Sequence, residues 1–224
     1  LKCIGNNEYG ALGSSENLSI PEIVESTIGD MTQIAAGNGY TCVLKSDGGI
    51  VCFGYNGRGQ LGNGTTDDTS VPTAVTGITT ATAISLGRDI TCALLTDKTV
   101  RCWGYNVWGQ LGNGTTTDSS TPVAVTGLTD VEQISTKVGF SCARKSDATV
   151  WCWGANSYGS LGDGTNTNSD TPVQVTGLTT AIDISVNRYS ACAVEASGQA
   201  VCWGIIPLAD WAMGQLPIVT FQLT

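Results

Sequence analysis

Cys102-Trp103-Gly104-Tyr105-Asn106, continued by Gly109-Gln110-Leu111-Gly112-Asn113-Gly114-Thr115, decides the fold of this chain because the same text returns at a fixed interval. Fifty residues earlier it reads Cys52-Phe53-Gly54-Tyr55-Asn56 and Gly59-Gln60-Leu61-Gly62-Asn63-Gly64-Thr65. Fifty residues later it reads Cys152-Trp153-Gly154-Ala155-Asn156 and Gly159-Ser160-Leu161-Gly162-Asp163-Gly164-Thr165. Weaker copies open the chain (Cys3-Ile4-Gly5, Gly10-Ala11-Leu12-Gly13) and close it (Cys202-Trp203-Gly204, Gly214-Gln215-Leu216). A constant period of this size is the mark of a repeat array, in which each unit covers the apolar face of its neighbour.

One period contains four short β-prone runs separated by turn residues. Pro122-Val123-Ala124-Val125 is expected as a strand that opens on its proline, where a missing N–H is tolerated. Val131–Ser135, Phe140–Arg144 and Thr149–Trp153 follow, with a turn over Ser146-Asp147-Ala148 between the last two. The Gly-rich segment ending at Thr121 is expected to carry the chain from one blade to the next. Four strands per ~40–50-residue period is the pattern of a propeller blade. The fold class is therefore all-β, a β-propeller with four complete blades and partial ones at both termini. Residues 1–224 read as one repeat domain, with units at about 2–50, 51–100, 101–150 and 151–200 and a partial unit at 201–224.

Composition narrows the function. Apolar residues make up 41% of the chain, enough for a core, while charged residues are only 13%. The net charge of −9, with ten Lys and Arg in all, argues against a surface built for nucleic-acid phosphates. No run of apolar residues is long enough for a membrane-spanning helix. Leu1 opens the chain without a charged-then-apolar leader, so any signal peptide is expected to be absent or already removed.

The motif Cys-Trp-Gly-x-Asn-x-x-Gly-Gln-Leu-Gly-x-Gly-Thr, followed by Thr-Pro-Val-x-Val and then Thr91-Cys92-Ala93-Leu94, resembles the regulator of chromosome condensation repeat family. The resemblance is nearest to the cysteine-bearing form of bacterial and extracellular proteins, and it implies a β-propeller. That form commonly has His before Thr-Cys; this chain has Tyr40, Ile90, Phe140 and Ser190 instead. One fold of this kind hosts unrelated activities, so the resemblance speaks to architecture more than to function.

The nine cysteines form two columns, Cys42, Cys92, Cys142, Cys192 and Cys3, Cys52, Cys102, Cys152, Cys202. Two pairings respect the repeat. Long pairs beginning with Cys3–Cys42 would leave Cys202 over. Short pairs (Cys42–Cys52, Cys92–Cys102, Cys142–Cys152 and Cys192–Cys202) would leave Cys3 unpaired or intermolecular. A three-residue turn centred on Asp47 puts Cys42 opposite Cys52 across a hairpin, and favours the short set. Zinc is disfavoured, since the chain has no histidine and no close Cys-x-x-Cys spacing. Paired cysteines imply an oxidising place of action: secreted, extracellular or cell-surface.

Other candidates for chemistry have simpler readings. Lack of histidine removes the common general base, and Asp47, Asp97 and Asp147 sit where hairpin turns favour Asp. Asn166, Asn168 and Asp170 have the spacing that begins a calcium loop but lack its Gly and distal Glu. The Gly-rich motif has no Gly-Lys-Ser/Thr and is not a phosphate loop. Phe53, Trp103, Trp153 and Trp203 are expected to pack between blades, with an aromatic binding platform as the alternative. Asn17, Asn63 and Asn113 match the N-glycosylation acceptor pattern.

Contrast between repeats points to a contact surface. The loop before the third strand reads Gly37-Asn38-Gly39-Tyr40, Gly87-Arg88-Asp89-Ile90, Lys137-Val138-Gly139-Phe140 and Asn187-Arg188-Tyr189-Ser190, while the text around it hardly changes. Loops at one end of a propeller carry binding. Asn38, Tyr40, Arg88, Asp89, Lys137, Phe140, Arg188 and Tyr189 are the candidate contact residues. The expected function is a non-enzymatic extracellular scaffold that binds a protein partner or itself. The first alternative is a glycan- or surface-binding adhesin module using Tyr9, Trp108 and Tyr158. A nucleotide-exchange or chromatin-binding propeller, which the resemblance permits, fits the acidic charge less well. No cofactor, metal, nucleic acid or membrane span is expected. The lone strand around Cys3 and the expanded Ile205–Met213 segment lead us to expect that more polypeptide or another subunit completes the ring.

Overall fold

The computed structural model describes residues 2–3, 7–13, 24–25, 28–205 and 219–221. Asn17, most of the Ile205–Met213 expansion and the closing Gly214-Gln215-Leu216 lie outside the described residues.

Every regular element among the described residues is a strand. A short pair, β1 (Lys2–Cys3) and β2 (Val24–Glu25), precedes four meander sheets. Blade I is β3 (Met31–Ala36), β4 (Tyr40–Lys45), β5 (Ile50–Gly54) and β6 (Thr69–Ala74). Blade II is β7 (Ala81–Leu86), β8 (Ile90–Leu95), β9 (Val100–Gly104) and β10 (Ser119–Ala124). Blade III is β11 (Val131–Thr136), β12 (Phe140–Lys145), β13 (Val150–Gly154) and β14 (Ser169–Gln174). Blade IV is β15 (Ala181–Val186), β16 (Ser190–Glu195), β17 (Ala200–Gly204) and β18 (Val219–Phe221). Each sheet is antiparallel throughout, with strands in chain order. The first strands β3, β7, β11 and β15 lie beside one another. They mark the inner side of the array, and the fourth strands form the outer edges.

The architecture is the expected one, but the sheets are cut at a different phase. Pro122 belongs to the fourth strand of blade II, not to the first strand of the blade that follows. Nor does it open that strand. It falls in the register break between the pairs Ser119↔Gly104 and Val123↔Cys102, where a residue without an N–H costs no ladder bond. The Gly-rich segment likewise runs inside a blade, joining its third and fourth strands, and does not carry the chain to the next blade. The turn after each fourth strand does that.

Interblade packing explains why this segment is so constant. Its tip lies against the following blade: the backbone N–H of Gly64 donates to the Ser120 carbonyl and that of Gly114 to Asp170. The Nε1–H groups of Trp103, Trp153 and Trp203 each donate at 2.9 Å to the carbonyl of Gln60, Gln110 and Ser160 in the preceding blade. These rings are buried, as is Phe53, so the platform alternative fails: they are wedges between sheets. Gly112 must be glycine, since a Cβ there would lie 2.8 Å from the Trp153 ring and its φ is +69°. The apolar core is correspondingly divided into three clusters, each shared by two neighbouring sheets.

The hairpin register brings the two cysteine columns together. Cys42↔Cys52, Cys92↔Cys102, Cys142↔Cys152 and Cys192↔Cys202 are directly opposed pairs on second and third strands. All four are disulfides, each closing a sequence separation of 10 residues. Cys3 lies on β1 opposite Val24 of β2, the place that Cys52 takes opposite Thr73 in blade I. β1 pairs with β2 and β18 pairs with β17; among the described residues no pairing joins β1 to β18.

Candidate functional site

Short loops between the first and second strands sit at one end of the array, beside its inner strands. They span 37–39, 87–89, 137–139 and 187–189. Each is held from behind: the carbonyls of Gly39, Asp89, Gly139 and Tyr189 accept the N–H of Tyr55, Tyr105, Ala155 and Ile205 at the exit of the third strand. The loop framework is thus fixed by backbone bonds common to all four blades, which leaves the side chains at residues 38, 88, 137 and 188 unconstrained by folding. Asn38, Arg88, Lys137 and Arg188 are all exposed.

These loops converge on two adjoining depressions. One, of about 440 Å³, is lined by Asn38, Arg88, Lys137, Val138, Arg188 and the inner-strand residue Leu86, with Ala36, Gly37 and Gly87. Three cations from three successive blades meet there, and among the described residues no carboxylate lines it. The other, of about 720 Å³, shares Asn38 and Arg88 and extends over Tyr9, Tyr55, Arg58, Glu8 and Asp89. The structure therefore gathers Asn38, Arg88, Asp89, Lys137 and Arg188 at a single mouth.

Tyr40 and Phe140 must be removed from the set of exposed contact residues. Both are 1% exposed. Each begins a second strand, where the side chain turns into the seam between blades. The Tyr40 hydroxyl donates to the Ile90 carbonyl at 2.7 Å in the next blade, and burial pushes its pKa well above the usual tyrosine value. Tyr189 remains at the surface, edge-on to Tyr158 with ring centroids 5.2 Å apart and with the Arg188 guanidinium 4.9 Å from its ring.

Exposed aromatics surround the mouth. Tyr9 pairs with Tyr55 at 5.1 Å and Tyr105 with Trp108 at 5.6 Å, while Arg58 lies 4.7 Å over Tyr105. Tyr9, Trp108 and Tyr158, expected as surface aromatics, are 42%, 39% and 50% exposed. Asp89 is the carboxylate of this end whose pKa shifts: burial raises it, opposed by Arg88 and Arg58. Its nearest cation is Arg88, with Nε 3.4 Å from Oδ2.

The remaining candidates make local hydrogen bonds. Asn63 and Asn113 use Oδ1 to accept from the N–H and hydroxyl of Thr65 and Thr115, and Asp163 does the same for Thr165. An acceptor two residues before Thr is what the turn requires, so Asn and Asp serve alike. Asn168 Oδ1 accepts the Asn156 N–H, as Asp68 and Asp118 do for Asn56 and Asn106. Among the described residues no cluster of three or more metal-ligating side chains exists. Asp97 and Asp147 are turn residues whose carboxylates accept from Thr99 and Thr149, which lowers their pKa below the ordinary value.

Sequence reasoning passed over the buried Asn56, Asn106 and Asn156. Each accepts the N–H of the motif leucine (Leu61, Leu111, Leu161) and donates from Nδ2 to two loop carbonyls, closing the Gly-rich segment. The signal was present: Asn stands at this place in four of the five copies, the closing one having Ile206, and the set includes Asn7, whose Oδ1 accepts the Leu12 N–H.

The repeat profile described as "Regulator of chromosome condensation (RCC1) repeat" matches residues 3–44, 47–94, 99–143 and 147–194, most of the sequence. The chain belongs to the RCC1 repeat family. Among curated proteins, an RCC1-repeat segment of 74 residues is 36% identical to the probable E3 ubiquitin-protein ligase HERC4 of Rattus norvegicus, covering 31% of this chain and 7% of that protein. A 67-residue segment is 34% identical to the Protein RCC2 homolog of Xenopus laevis, covering 29% of this chain and 13% of the other. The chain thus matches only a small part of these relatives. Among solved structures, human WBSCR16 superposes with a TM-score of 0.80 at 24% identity, over 90% of this chain and 56% of that one. Yeast RCC1 (Prp20), in its complex with Kap60, gives 0.77 at 17% identity over 96% and 55%. These likenesses establish the propeller-type fold, and this RCC1-repeat chain spans about half of each.

Proposed function

We propose that this RCC1-repeat protein is a non-enzymatic interaction scaffold acting in an oxidising compartment outside the cytosol. Its contact face is the mouth formed by the 37–39, 87–89, 137–139 and 187–189 loops. One observation carries the reading: the residues that differ between otherwise near-identical blades, Asn38, Arg88, Asp89, Lys137 and Arg188, come together at one end. Side chains set by folding would repeat with the fold; these do not. Four cross-strand disulfides support the oxidising location. Binding proteins is also what structural relatives do: yeast RCC1 (Prp20) is bound by Kap60, and Prp20p is described with binding properties to Gsp1p and histones.

A photo-crosslinking residue at Val138 tests the proposal, with the same group at Asp147, on the turn at the far end of blade III, as control. Crosslinks to a protein partner, or to a second copy, from residue 138 and not from 147 are expected. Crosslinking confined to 147, or equal from both, would overturn the assignment of the face. A second reading rests on the exposed rings of Tyr9, Trp108 and Tyr158: a glycan-binding face, which a glycan array tests through retention that these rings' replacement by Ala abolishes.

A further inference from the structure

We infer that the 440 Å³ depression at the mouth receives a short acidic peptide segment of the protein partner. This rests on the mouth being the contact face and adds the chemistry of what enters it. The chain carries a net charge of −9 and only ten Lys and Arg in all. Yet Arg88, Lys137 and Arg188, one from each of blades II, III and IV, line this one depression, and among the described residues no Asp or Glu lines it with them.

Folding does not account for them. Arg88 pairs with the partly buried Asp89 and Arg188 lies over the Tyr189 ring, local contacts that use these cations but do not hold the loop in shape. At the same place blade I has Asn38 and builds the same loop. Like charges brought together in an acidic protein raise the free energy of the unbound state, and an anion that enters relieves that repulsion. Two of the three are guanidinium groups, which grip a carboxylate through two parallel N–H bonds. The Arg88 side chain is 58% exposed, so its charge reaches a ligand.

The shape of the charge selects a peptide among anions. Three cations on one short arc match two or three carboxylates. Further along any long polyanion, the ligand would meet Glu8, Asp89 and the acidic bulk of the chain. Leu86, Val138 and Ala36 give the depression apolar lining, and Tyr189, edge-on to Tyr158, lies against Arg188. An extended segment with two or three Asp or Glu beside an aromatic or aliphatic residue fits all of these features. A nucleic-acid strand fits only the first.

The test uses fluorescence anisotropy with the intact chain and three labelled octamers: an acidic peptide of alternating Glu and Gly with one central Phe, its Gln counterpart, and an oligothymidylate of the same length. Binding of the acidic peptide is expected to exceed that of the Gln peptide by at least about tenfold. It should weaken several-fold as ionic strength rises past the point, around 0.1 M, where screening acts within ~10 Å. Arg88→Gln, Lys137→Gln and Arg188→Gln should each weaken it about two- to fivefold, the range of exposed charge pairs. Lys98→Gln and Lys145→Gln, at the far end of the blades, should not.

Equal binding of Glu and Gln peptides, tighter binding of the oligothymidylate, or indifference to the three substitutions would each overturn the inference. Near-ultraviolet circular dichroism confirms that the variants keep the fold, which these exposed loop positions do not support. Crosslinking from residue 138 without acidic-peptide binding would sink this inference alone. Absence of crosslinking from residue 138 would sink the contact face as well.

Discussion

Asn106→Ala provides the most direct test of how a blade holds together. Asn106 is 0% exposed, and its Oδ1 accepts the N–H of Leu111 at 2.8 Å. Its Nδ2 donates to the carbonyls of Thr115 and Thr117, both at 2.9 Å. Alanine deletes all three bonds at once. Each is worth roughly 1 kcal/mol net, a figure that includes the loss of the partner at the Leu111 N–H. Water can reach the two threonine carbonyls at the exposed loop, so their desolvation is discounted. A total near 3 kcal/mol follows. For a chain of this size each kcal/mol lowers the melting temperature by ~2–4 °C, giving about 6–12 °C. Scanning calorimetry measures the shift, and amide hydrogen exchange at Leu111 locates it. Asn113→Ala, at the half-exposed cap of the same loop, should cost no more than about 1 kcal/mol. A melting shift below ~2 °C for Asn106→Ala, with Leu111 exchange unchanged, would refute the account of the asparagine as the blade's internal clasp.

Four further outcomes are expected. Replacing Cys92 and Cys102 together by Ala should destabilise by about 3 kcal/mol, from the chain entropy of a loop this short. Non-reducing peptide mapping should show the other three pairs intact. Gly154→Ala should be much worse than Gly127→Ala in urea titrations: a Cβ at Gly154 lies 2.5 Å from the Gly139 carbonyl oxygen, whereas nothing lies within 4 Å at Gly127. Strain of the positive φ is common to both. Thr149→Val removes the hydroxyl that donates to Asp147, and carboxyl NMR should then find the Asp147 pKa moved back up toward its ordinary value. Asp89 behaves oppositely. Because burial raises its folded pKa above the unfolded one, its favourable contribution exists below the unfolded pKa and is lost as pH rises through the folded value. Asp89→Asn should therefore raise stability near neutral pH and leave it unchanged in acid, and a pH series of denaturation midpoints checks the sign.

Much of this molecule is legible in its sequence because a repeat states the same physical requirement several times. The fifty-residue recurrence of Cys-Trp-Gly-x-Asn determined a four-stranded unit, and the ten-residue separation of Cys42 from Cys52 with Asp47 midway determined the hairpin register, hence the disulfides. Such facts are local: a turn and two strands settle them. What belongs to one sheet and what to the next was not local. Pro122 and the Gly-rich motif both precede the turn at Gly127, and the sequence reads the boundary between them equally well as a blade's beginning or its interior. Only packing of Trp153 against the Gln110 carbonyl of the preceding blade fixes that phase. Tyr40 and Arg88 show the same limit at the mouth. Both belong to loops that vary from repeat to repeat, yet Tyr40 is buried in a seam and Arg88 faces solvent. Variation alone does not distinguish them, because the side of a second strand that meets a neighbouring blade exists only once the blades are assembled. Convergence of Arg88, Lys137 and Arg188, fifty residues or nearly so apart in the chain, is likewise a product of the shared axis and of nothing within any one repeat.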